Sequence, residues 1–108
     1  MLIVTTEAVA GRRVAETLGF VSGEAILGAN LFKDLFAGLR DIVGGRSAAY
    51  EQELRKARDT ALDELAAEAE RLGGNAVLGV RLDYEEITVG AGGAMLMVCA
   101  TGTAVSLT

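Results

Sequence analysis

The chain has 108 residues, a formal net charge of −5 and no histidine. The charge argues against nucleic acid and against a polybasic membrane contact, since both draw on clustered Lys and Arg. Without histidine the commonest general base at neutral pH and the commonest transition-metal ligand are missing, so a Ser-His-Asp triad or a His-based zinc site cannot be built within one chain.

A chain of this length makes one domain, residues 1–108, with one modest core. Apolar residues make up 51%, but only three Phe and two Tyr are present, so that core is built from Val, Leu, Ile and Ala. With no Pro and 14 Gly, regular elements joined by tight turns are expected. The single cysteine excludes an intrachain disulfide. No secretory signal pattern and no apolar run of about 20 residues is present, so a soluble, cytoplasmic protein is expected.

In chain order, residues 2–6 form a short β-branched strand. Residues 13–26 form one long strand, or two bent at Gly19 or Gly23. Asn30 is a good N-cap for a helix over 31–43, where Leu31, Leu35, Leu39 and Ile42 make an apolar stripe. Ser47 can cap a second helix, roughly 48–72, with Leu54, Ala57, Ala61, Leu65, Ala69 and Leu72 on its apolar side. Gly73-Gly74 supplies its left-handed stop.

Two more strands follow, about 75–88 and 94–106, joined as a hairpin through Gly90-Ala91-Gly92-Gly93. In the first, Leu78, Val80, Leu82 and Tyr84 share a face by alternation. In the second, Met95, Met97 and Cys99 face one way and Leu96, Val98 and Ala100 the other. Both faces are apolar and both need cover. Two helices cover only one face of such a sheet, so a second copy of the chain is expected on the other.

Three blocks are recognisable by order and spacing: 23–30 (GEAILGAN), 40–47 (RDIVGGRS) with Tyr50 and Glu51, and Ala76-Val77 to Gly79 with Asp83-Tyr84. Together they resemble the YbjQ family, small bacterial proteins labelled heavy-metal-binding, and the resemblance spans the whole chain. It implies an α+β two-layer sandwich like the dodecin subunit, an antiparallel sheet with two helices on one face, assembled as a ring of five. It implies no reaction.

Candidate sites carry a plain reading beside a functional one. Cys99 is the one soft ligand, more simply a small buried hydrophobe. A metal site there needs Cys99 from several subunits, with Met95 or Met97. Asp83, Glu85 and Glu86 offer oxygens to a hard cation, or form a solvated edge. Glu24, in a tight apolar segment, needs a partner such as Arg40 or Arg46, and makes either a structural ion pair or a pocket floor. Gly44-Gly45-Arg46-Ser47 is a helix-helix turn, or an anion contact at a helix start. Tyr50 packs at a seam or stacks on a ligand; Asn30 caps, and Asp41 pairs with an arginine.

The function expected is a non-enzymatic, homo-oligomeric protein binding a metal ion or small ligand at subunit interfaces. The alternative is an accessory module binding another protein through the charged helix 48–72.

Overall fold

The computed structural model describes residues 1–27, 48–89 and 93–108. Its elements are β1 (Leu2–Ile3), β2 (Val14–Leu27), α1 (Ala48–Arg71), β3 (Ala76–Val89) and β4 (Gly93–Leu107). The expected helix over 31–43 lies outside the described residues. The sheet order is β1-β3-β4-β2. β4 runs antiparallel to both neighbours, whereas β1 pairs parallel with β3. The sheet is therefore mixed rather than antiparallel. The reason is topological: residues 4–13 carry the chain from β1, at one edge, to β2 at the other.

β1 is shorter than expected, but its direction continues in single bonds. The Val4 amide donates to the Val77 carbonyl, and the Val80 and Gly79 amides donate to the Val4 and Thr6 carbonyls. Asn75 ties the C-terminal strand to the β3 entrance. Its Nδ2 donates to the Leu107 carbonyl at 3.0 Å and its Oδ1 accepts from the Leu107 amide at 2.7 Å.

α1 ends as its glycines dictate. Gly73 has φ +89°, its amide donates to the Glu70 carbonyl, and the Gly74 amide reaches back to the Ala69 carbonyl. This paired pattern satisfies carbonyls that the last turn would leave open. The helix lays Ala57, Ala61, Leu65 and Ala69 on Val21, Leu27, Val98 and Ala100 to form the main core. Burying a side chain such as Leu65 or Val98 stabilises the fold by about 1.5–3 kcal/mol.

Gly23 does not bend β2. A Cβ there would run into the Ala61 carbonyl and lie 2.6 Å from the Leu65 nitrogen, so the missing side chain lets α1 rest on the strand. Register shifts in β2 fall instead between Val14 and Glu16 and between Thr17 and Gly19.

β3 departs from simple alternation as well. A register shift between Leu78 and Arg81 coincides with Gly79 at φ +61°. This extra residue breaks the expected face of Leu78, Val80, Leu82 and Tyr84. Val77 and Val80 join the α1-side core, while Leu78 joins Ala76, Val105 and Leu107 in a second cluster. Val4 and Val9 pack against that second cluster, so residues 4–13 cover one end of the sheet face opposite α1.

Candidate functional site

The other end of that face is the candidate site. Along β4, Leu96, Val98 and Ala100 are buried on the α1 side, while Met95, Met97 and Cys99 alternate outward and are only partly buried. Strand register fixes their neighbours. Cys99 lies opposite Glu24 on β2 and Asp83 on β3; Met97 lies opposite Ile26 and Glu85; Thr101 lies opposite Ser22 and Arg81. Directly opposed residues place their Cβ atoms about 5 Å apart, so Cys99 is flanked by a carboxylate on each side. Phe20 and Ile26, on the same face, are 71% and 57% exposed.

Partial burial pushes the Cys99 thiol up from its ordinary value, and the charges of Glu24, Asp83 and Glu85 push it further the same way. Both causes disfavour the thiolate, the form that binds metal. The site thus keeps a protonated thiol until a cation or a change of surroundings offsets the neighbouring charge.

Glu24 lies within strand β2 rather than in a tight turn. The expectation was a carboxylate held in a tight apolar turn. In the structure Gly23 takes the buried position and Glu24 is exposed on an edge strand. Its backbone amide, facing out from that edge, donates to Glu64 Oε2 at 3.0 Å. The expected partners Arg40 and Arg46 lie outside the described residues, as do Asn30, Asp41 and Ser47. Tyr50 falls in the first turn of α1; its side chain is outside the described residues. Asp83, Glu85 and Glu86 are all exposed, but Glu86 pairs with Leu96 and so belongs to the α1 side.

Glu64 was not among the residues singled out from sequence. Its place on the helix reads as ordinary wet face, and only the packing of α1 over Gly23 brings it to the β2 edge. There, between β2 and α1, runs an open groove. One part, of about 360 Å³, includes Ile26, Leu27, Glu53, Lys56 and Thr60. The next, of about 340 Å³, includes Ser22, Glu24, Glu64, Glu68 and Arg71.

Comparison with known proteins places this arrangement. The YbjQ_1 family model, described as "Putative heavy-metal-binding", matches residues 1–108. The chain belongs to the YbjQ family. A crystal structure from Pediococcus pentosaceus, of a protein with unknown function assigned to the DUF74 family, superposes with a TM-score of 0.70. At 19% identity it covers 100% of this chain and is itself covered over 98%, which supports the fold. DUF74 and YbjQ are the same family.

The description of the YbjQ family implies a heavy metal, and the donor groups of the chain decide whether one fits. Among the described residues no group of three or more Cys, Asp and Glu is placed to hold a metal ion. Cys99, Glu24 and Asp83 share a rung but spread across three strands, and the thiol is held protonated. The described part of one YbjQ chain therefore does not supply a complete donor set. Among the described residues no helix is long and apolar enough to cross a membrane.

Proposed function

We propose that this YbjQ-family chain is a non-catalytic binding protein that assembles with copies of itself and takes a soft metal ion or small ligand where the copies meet. The observation that carries this reading is the open sheet face, where Cys99 stands between Glu24 and Asp83, with exposed Ile26 one same-face step away and exposed Phe20 farther along β2. Large apolar side chains beside a soft ligand suit a surface that a second copy covers. Cys99 from neighbouring copies would complete a thiolate set that one chain lacks, with Met97 as a thioether neighbour.

The dimensions support assembly. The radius of gyration is 17.0 Å, against about 13 Å for a compact chain of this size. The accessible surface is 6720 Å², against roughly 5700 Å² expected for a compact monomer of 11.2 kDa.

The ring of five implied by the family resemblance is the assembly we assign, in the cytoplasm, with neither nucleic acid nor membrane as partner. No catalytic role is assigned. A protein-binding role for α1 draws less support, because the charges on its outer side pair locally: Lys56 with Glu53 at 3.2 Å and Arg58 with Asp59 at 3.1 Å.

Native mass spectrometry of untagged protein, with and without chelator, tests the reading. The expected result is a multimer that binds added Cu(I), with binding lost in Cys99→Ala while the multimer persists. A monomer, or full Cu(I) stoichiometry in Cys99→Ala, would overturn it.

A further inference from the structure

The outer edge of β2 is a 14-residue row of backbone donors and acceptors with no neighbouring strand among the described residues. Such an edge is normally covered, because it pairs readily with any extended chain. Here it is the floor of the groove against α1, the arrangement in which proteins take up an added strand. Glu64 already satisfies one outward amide, that of Glu24. The stretch of groove around it is acidic: Glu24, Glu64 and Glu68 line it with Arg71 as the one cation among its described lining.

We infer that this groove receives the segment carrying Arg12 and Arg13 from a second copy of the chain. The inference rests on the self-assembly proposed above and adds a second contact, at the β2 edge, to the one on the Cys99 face. Both arginines are exposed and immediately precede β2. Arg12 uses its Nε to hold the Thr108 carbonyl at 2.9 Å, and the exposed Arg13 accepts from the Thr108 amide through its backbone carbonyl. Within one chain these cations cannot reach the acidic groove. From Arg13 to Glu24 is eleven residues of strand, roughly 35 Å at about 3.3 Å each.

The basic segment and the acidic groove thus lie at opposite ends of the same strand and complement each other only between copies. The Arg12 amide and the Arg13 carbonyl are already bonded to Val9 and Thr108 of their own chain, so the contact is made by side chains: the guanidinium groups meet Glu64 and Glu68 at the β2 edge as charge-assisted pairs.

The test uses the full chain and measures association by sedimentation. Arg13→Glu and Glu68→Arg should each weaken assembly at least about tenfold, and the two together should recover to within about threefold of the parent. Circular dichroism checks that each variant is folded. A second measurement mixes Arg13→Cys and Glu68→Cys chains, both in a Cys99→Ser background, and expects a disulfide-linked pair on oxidation. An assembled parent that ignores both charge reversals and gives no cross-link would overturn this contact and leave self-assembly standing. A monomeric parent would overturn both.

Discussion

At the centre of the open face, the Cys99 thiol is raised by desolvation and then by the charges of Glu24, Asp83 and Glu85. The sign has two consequences. Because the folded value lies above the unfolded one, the contribution of the neutral thiol is fully present below the unfolded pKa. It is lost as pH rises through the folded value. Alkylation of Cys99, followed between about pH 7 and 10, should reach its half-maximal rate at higher pH than a cysteine in a short peptide. Glu24→Gln should move that midpoint back down; a midpoint that stays put would show that the carboxylate does not act on the thiol. Cys99 was legible in the sequence as the one soft ligand. Its two flanking carboxylates were not, because they come from positions 75 residues and 16 residues away in the chain and meet only through strand register.

Among the elements, the contact between β2 and α1 decides where everything else sits. Ala61 and Leu65 press their backbone onto Gly23, and Glu64 is thereby carried to the strand edge. Gly23→Ala has no room for its methyl group, since the obstacle is the α1 backbone at Ala61 and Leu65. It should lower unfolding stability by about 2–3 kcal/mol in chemical denaturation, the upper part of the overpacking range. A loss below about 0.5 kcal/mol would mean that α1 lifts freely from the sheet.

Element boundaries were largely legible. The expected strand over 13–26 is Val14–Leu27, the helix over 48–72 is Ala48–Arg71, and the hairpin strands are Ala76–Val89 and Gly93–Leu107. Periodicity and the Gly73-Gly74 stop carry that much. The bulge at Gly79 was not legible. One extra residue sends Leu78 to the opposite face from Val80, and a glycine inside an alternating run does not say which way the register will slip.

For the whole molecule, the outline of 52 × 30 × 16 Å describes a thin body, and among the described residues one sheet face is incompletely covered. Residues 4–13 shield Leu78 and Val105, while Phe20, across β4 from Leu78 at the β2 edge, and Ile26, farther along β2, are left exposed among the described residues. Phe20→Asp should shift the assembly toward monomer at micromolar concentration, read by light scattering. Charge in the middle of an apolar contact is costly to bury, whereas the monomer's own core is untouched. An unchanged mass would place the contact between copies away from this face.

By itself the sequence determined the class of fold, the family, and the apolar character of both sides of residues 95–100. Those follow from local periodicity and from the spacing of short blocks. It also excluded histidine from any site built within this chain, because a residue type that is missing cannot be supplied by folding. Only the tertiary structure decided that β1 lies parallel beside β3, that Glu24 is an exposed edge residue, and that Glu64 reaches its amide. Each of these depends on which distant segments become neighbours. Register and helix placement are set by packing of the whole chain, at Gly23 and Gly79 above all, and no local window of residues contains that information.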